Sequence, residues 1–417
     1  MVLENNYGKE DVLLDSTAGC ILSGRLPVAF RGDRYADTHA YRDCHECQRQ
    51  RVAVLDGLCS GSRRQFLWNC IAEWYSGSGC SERRGSECPD SVEFFRTFKD
   101  EAYLKLADKS QRYFIDTFID KEHGGVYWLV NPDGEVLNAS KYTYAMTYAI
   151  YGLAEHYLAT GNSESLDMAV GLYHTLEEKG REPQYDGYVE SFTEDWKQLD
   201  NYDNNAPKTM NAHLHVLEAY TLLYQCWKDD GLRKRLEFCT ELFMDRIYDS
   251  SKRHFNLFFD NAWNSLVEMD SYGHDVEAGW LLCEAARVLE DRQLMDRANR
   301  LALDVTDACL AEGLSDKGYM MYEKKGGRTT GHASWWGQIE TMIACVNAWQ
   351  ISGNDVYLQS ADTVWTFVKD CMIDREYGEW YSDCFDGEPK KDTPKVSMWR
   401  CPYHTVRLGV EIHNRLK

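Results

Sequence analysis

The sequence predicts an all-α chain of antiparallel helical hairpins closing into an α/α barrel, with a first hairpin that is atypical or incomplete. Two observations predict it. A unit of about sixty residues recurs five times toward the C-terminus, and a fixed period of that size marks a repeat architecture. Within each unit, apolar residues fall at i, i+3, i+4 and i+7, the period of a helix with one buried face.

The elements follow in order. AYLKLADKSQRYFIDTFI (102–119) is the first long amphipathic helix. Five Gly- or aromatic-rich hairpins then alternate with helices: KEHGGVYWLV (121–130), YDGYVESFTEDW (185–196), SKRHFNLFFDNAW (251–263), DKGYMMYEKKGGR (316–328) and DREYGEWYSD (374–383). Between them lie helix pairs at 210–227 and 232–248, at 276–289 and 293–310, and at 335–352 and 355–373. Short turns such as TGNSES and SGNDVY make the partners antiparallel. A last helix opens after Cys401, where proline suits the first turn. This reading gives about ten helices from Phe94 onward, whereas six hairpins close a barrel. The missing pair is therefore expected from the N-terminal segment.

That segment has a different texture. Residues 1–93 hold Cys20, Cys44, Cys47, Cys59, Cys70, Cys80 and Cys88 among Arg and Gly/Ser clusters, without sustained helical period. Two regions are expected: an atypical segment 1–93 and a catalytic barrel 94–417. Cys44 and Cys47 form a CxxC without the second CxxC that a structural zinc site requires, so no metal is expected. The opening residues lack a charged n-region followed by an apolar h-region, and no apolar run spans a bilayer. Fifteen cysteines in such a chain are read as reduced thiols, which implies a cytoplasmic location. A formal charge of −21 excludes nucleic acid and anionic membrane as partners, because phosphate backbones attract basic surfaces. The aromatic share of 13% suits either a cleft that stacks on sugar rings or bulky helix contacts.

Candidate chemistry lies in four motifs. SYGHDVEAGW (271–280) puts His274 just after a hairpin, at a helix N-terminus where the dipole favours the neutral imidazole. Glu277, one turn on, is placed to hold that ring in one tautomer, to bind a sugar hydroxyl, or to form a surface ion pair. In KTMNAHLH, Asn211 and His215 share a helix face while His213 points elsewhere. Trp335 and Trp336 cannot both face one core, so one lines a cavity. In MWRCPYH, Trp399 and His404 flank the Cys-Pro helix start. Two imidazoles from distant segments can pass a proton from one side of a carbon to the other. GxSxG, Walker and dinucleotide glycine motifs do not occur, and the His-x-x-Glu pair has no second copy to make a carboxylate–histidine metal site.

On KTMNAHLH, SYGHDVEAGW, WWGQIE, GEWYSD and WRCPYH, in this order, the chain resembles the cellobiose 2-epimerases of the wider N-acylglucosamine 2-epimerase superfamily over about residues 94–417. The resemblance implies an (α/α)6 barrel, no organic cofactor, and inversion at C2 of the reducing-end glucose in β-1,4-disaccharides such as cellobiose and lactose. It makes His274 and His404 the acid/base pair and His215 an assisting histidine. Asn211 and Glu277 would contact the reducing sugar, Trp336 and Trp399 would stack on it, and Tyr144 of KYTYAMTYAIY would lie near its oxygens. The implied partner is a disaccharide alone, with the chain a monomer or weak homo-oligomer.

The family also places an arginine in an Asn-Ala/Ser-Arg-Ile-Leu-Trp motif beside the enediolate oxygens, and this sequence departs from it. Codons can be chosen for Cys80–Glu93 so that the neighbouring frame reads AVKGGDPNARILW, so a frame shift explains the N-terminal texture; a natural extension is the alternative. Loss of one such charge-stabilising group costs about 3–4 kcal/mol of barrier. The competing activities are an aldose–ketose isomerase or N-acylglucosamine 2-epimerase of the same superfamily, an (α/α)6 glycosidase using two carboxylates, and an inactive sugar-binding relic.

Overall fold

The computed structural model describes residues 90–99, 101–131, 133–199, 206–395 and 400–417, all within the compact unit Leu58–Lys417. The N-terminal cysteines, the CxxC and Trp399 lie outside the described residues. Eleven α-helices occur among the described residues. They are α1 (Asp90–Phe98), α2 (Glu101–Thr117), α3 (Thr143–Thr160), α4 (Ser163–Lys179), α5 (Met210–Cys226), α6 (Asp230–Leu242), α7 (Tyr272–Leu289), α8 (Arg292–Gly313), α9 (Trp335–Ser352), α10 (Val356–Phe367) and α11 (Tyr403–Arg415).

The odd-numbered helices form the inner ring, each packed on the next, and α11 returns to α1. The even-numbered helices lie outside, each against its hairpin partner. Residue patterning separates the layers. On α5 every residue from Ala212 to Tyr224 is buried, the mark of a helix surrounded by protein. On α8 burial follows one stripe, Leu294, Ala298, Leu301, Val305 and Cys309, so the opposite face stays in water. The arrangement is an (α/α)6 barrel. The ten helices expected from Phe94 onward are α2–α11, and one member of the missing pair comes from the N-terminal segment, as anticipated. Helix α1 begins at Asp90, ahead of the anticipated boundary, and supplies the sixth inner position; among the described residues only α11 lacks an outer partner.

Five hairpins join outer helices to the next inner ones where the sequence places them. Bridges close them at Ile119–Val126, Arg181–Tyr188, Leu314–Met320 and Ile373–Trp380, and the third pairs Tyr248–Asp249 with His254–Phe255. Each short strand before an inner helix then pairs with the following hairpin: Lys141–Tyr142 with Ser191–Phe192, Lys208–Thr209 with Phe258–Phe259, Met269–Ser271 with Glu323–Lys325, and His332–Ser334 with Asp383–Phe385. This stitching fixes the N-termini of α3, α5, α7 and α9 on one end of the barrel.

Buried charge reinforces the stitching. Asp120, Glu182 and Asp374 each cap their hairpin by accepting backbone N–H bonds two and three residues on. A lysine from the following segment neutralises each: Lys141 on Asp120 at 2.6 Å, Lys208 on Glu182 at 3.2 Å, and Lys395 on Asp374. Lys141 and Lys208 are fully buried, so these are structural cations held by paired charge. Close packing adds a second repeated device. Gly187 has φ +87°, and a Cβ there would stand 2.4 Å from Trp263, whose indole N–H reaches the Tyr185 carbonyl at 3.2 Å. Gly125 meets Trp196 in the same way one unit earlier, at 2.6 Å.

Candidate active site

Side chains from the first turns of α3, α5, α7, α9 and α11 converge at the hairpin end of the barrel. His274 is the third residue of α7, and its Nδ1 is 2.8 Å from the Ser271 hydroxyl. Ser271 stands at the helix N-cap but makes no cap hydrogen bond with its side chain, because that oxygen serves the imidazole. Asp275, fully buried, pins this first turn to the preceding hairpin through the Phe255 N–H (2.9 Å) and His254 Nδ1 (2.7 Å). The Trp336 ring lies 4.6 Å from His274 and 5.9 Å from His404. It comes this close because Gly273 has no side chain: a Cβ there would stand 2.5 Å from the indole.

His404, in the first turn of α11, holds Glu340 of α9 at 2.7 Å through Nδ1. Glu340 is fully buried and also accepts the Trp280 indole N–H at 2.9 Å. On α5, His215 Nδ1 bonds Glu218 at 2.9 Å, and the ring packs 5.0 Å from Tyr144 and 4.8 Å from Tyr148. Tyr403 donates its hydroxyl to Glu218 at 2.5 Å. Asn211 sits one turn before His215, half-buried. His213 faces away, as expected: it bonds the Thr209 carbonyl (2.7 Å) and accepts the Tyr188 N–H (2.9 Å), which fastens a hairpin.

One residue that sequence reasoning missed binds the whole arrangement. Arg407, one turn after His404 and 2% exposed, reaches Glu277 at 2.8 Å, Glu340 at 3.2 Å, and Glu218. Its guanidinium also lies 4.1 Å over the Tyr403 ring. Three carboxylates from three inner helices thus share one buried cation. Glu277, Glu340 and His404 bring donor atoms close enough for a metal ion, but the guanidinium stands between the two carboxylates where such an ion would sit. Of the roles left open for Glu277, the structure has neither the bond to His274 nor a surface ion pair: Ser271 holds that ring, and Glu277 is buried against Arg407.

Electrostatics divide the histidines. Burial pushes His274 down to about 3, and the neighbouring His215 and His404 add to that drop. The helix terminus is where expected, but burial is the larger cause. Burial also opposes charge on His404, yet the hydrogen bond and charge of Glu340, with Glu277 behind it, outweigh it and raise His404 to about 9. At neutral pH the site therefore holds a neutral imidazole and an imidazolium against one indole ring. Burial alone would raise Glu340 and Glu218; Arg407 and the histidines reverse that and keep both carboxylates below their usual range.

Residues 96–407 match the N-acylglucosamine 2-epimerase (GlcNAc 2-epimerase) family. The chain is similar to a cellobiose 2-epimerase of Bacteroides fragilis, 41% identical over 328 residues, covering 76% of this chain and 83% of that one. Among solved structures it is similar to a cellobiose 2-epimerase from Bacillus thermoamylovorans B4167, at 32% identity and a TM-score of 0.74 over 84% of this chain and 87% of the other. A sugar epimerase from a ruminal bacterium gives 30% identity and a TM-score of 0.77 over 85% and 98%. The chain belongs to the N-acylglucosamine 2-epimerase family and is an isomerase, a carbohydrate 2-epimerase.

Proposed function

We propose that the chain inverts C2 of the reducing-end glucose of β-1,4-disaccharides, cellobiose to glucosylmannose and lactose to epilactose, by passing protons through His274 and His404. The carrying observation is that His274, held by Ser271, and His404, held by Glu340, both lie against the Trp336 ring; burial favours the neutral form of the first and Glu340 the charged form of the second. The relatives named cellobiose 2-epimerase support the substrate class.

A C2 proton is acidic only in the open-chain aldose, so the ring opens first; His215, oriented by Glu218, is the group assigned to move that proton. Neutral His274 then removes the C2 proton, and the C–H electrons form the C1–C2 double bond of a cis-enediolate. Rotation about C2–C3 presents the opposite face of C2. The His404 imidazolium delivers its proton there, the carbonyl re-forms, and the ring closes. Each transfer is worth about 10²–10⁴-fold when acid and base are in place. His274 returns its proton to solvent and His404 regains one. Tyr144, whose buried hydroxyl stays protonated, is the described donor assigned to the enediolate oxygens. Asn211 and Trp336 orient the reducing sugar, and Trp399 is assigned a stacking role from the family motif alone. The substrate is the only partner proposed; no organic cofactor or metal enters any step.

Incubating the protein with lactose in heavy water tests the proposal. Epilactose carrying deuterium at C2 is expected. Lactulose would point to the aldose–ketose isomerase, and release of monosaccharides would overturn the epimerase in favour of a glycosidase.

A further inference from the structure

A column of rings leads from the candidate active site to the protein surface. Trp336 meets Tyr322 edge-on at 6.2 Å and 84°. Tyr322 stacks with His332 at 4.6 Å and 30°, and His332 stacks with Phe385 at 5.0 Å and 20°. Phe385 is 51% exposed, on the hairpin whose strand pairs with the residues leading into α9. Its position is fixed rather than loose. Phe385 pairs with Glu388 across a two-residue turn, in which Asp386 (φ 52°) and Gly387 (φ 91°) both take the left-handed backbone that such turns require. Lys317 anchors the turn by bonding the Asp386 carbonyl at 2.7 Å and its carboxylate. Burial holds His332 on its neutral side despite nearby Asp383, so the middle of the column is an uncharged aromatic plane.

Exposed apolar side chains are ordinary taken singly, but Phe385 presents a ring held in place by its turn and stacked on an inner ring, the form of a platform for a flat apolar ligand face. Aromatic faces carry negative quadrupoles that attract the polarised C–H bonds on one side of a sugar ring. Each step of the column is comparable to the width of one sugar ring. Phe385 is three ring contacts outward from Trp336, at centroid steps of 6.2, 4.6 and 5.0 Å, which sets it apart from the rings that would hold the reducing unit. We propose that Phe385, backed by His332, is an outer platform that recognises a third unit of β-1,4-linked oligosaccharides. The proposal rests on the epimerase reading only for the direction in which the chain lies.

Fluorescence titration of the full chain with cellobiose and with cellotriose tests it in wild type, F385A and F385Y, with thermal melting as a folding check. F385A is expected to weaken cellotriose by about five- to tenfold while changing cellobiose by less than about twofold, and F385Y to keep the trisaccharide affinity. Equal losses for both sugars, or no loss for either, would overturn the platform. A wild type that binds both sugars but epimerises neither contradicts the epimerase reading and leaves the platform to be decided by the same titrations. A wild type that binds neither sugar overturns both.

Discussion

Glu340 Oε1 lies 2.7 Å from His404 Nδ1, and this buried contact keeps the ring charged up to about pH 9. Two pH limits on turnover follow. His274 must be neutral, which holds above about 3, and His404 must be protonated, which holds below about 9. We expect kcat/KM of the wild type to be flat near neutrality and to fall as pH rises through about 9. E340Q removes the charge while keeping the shape, so the alkaline limb should move down by about one to three pH units. A pH–rate profile of both proteins measures this, and an unmoved limb would separate Glu340 from the titration.

The same contact has a stability side. His404 titrates near 6.5 when unfolded and at about 9 when folded, so its contribution is fully present below pH 6.5 and is lost between 6.5 and 9. Wild type should lose stability relative to H404A across that window, read by urea unfolding at pH 6 and pH 9.5.

Replacing His274 by Ala should lower kcat by at least about 10²–10⁴-fold while thermal melting stays nearly unchanged; H404A should lower kcat as far, with melting compared above pH 9, where the stability contribution of His404 is already lost. A collapse in melting temperature would make the rings structural. S271A should be milder. It frees the His274 tautomer, so kcat falls about tenfold with KM little changed.

Arg407 should behave differently. R407M leaves three buried carboxylates without their cation and should destabilise the fold by about 3–5 kcal/mol in denaturant unfolding. Adding E277Q to R407M should recover part of that loss, since one uncompensated charge is removed.

G187A tests the hairpin packing. Its φ of +87° and the Trp263 ring 2.4 Å from any Cβ both oppose a side chain, so about 1–3 kcal/mol of stability should be lost. Shrinking Trp263 in the same background should restore only part, because the backbone strain remains.

The helices and hairpins were legible because periodic burial is written locally: the stripe on α8 and the turn glycines need no distant partner. The barrel was legible from the repeat, but the position of its sixth inner helix was not, since the short helix Asp90–Phe98 falls in an irregular segment and too few turns carry its pattern. The histidines were found through their motifs. Arg407 was missed because in HTVRLGVEIHNRLK it reads as one more cation on a terminal helix. Its partners lie 67, 130 and 189 residues away, a separation that no local pattern encodes. The Ser271 contact was closer to hand. A serine three residues before His274 stands one helical turn away, a spacing that offers Ser271 to the ring as well as Glu277.

A brief reaction of protiated cellobiose in heavy water, stopped at low conversion and read by NMR at C2, tests the two-histidine transfer most directly. The account predicts deuterium in the epimer while the recovered cellobiose stays protiated, since His274 takes one proton and His404 supplies another. An epimer that retains its original C2 proton would contradict it.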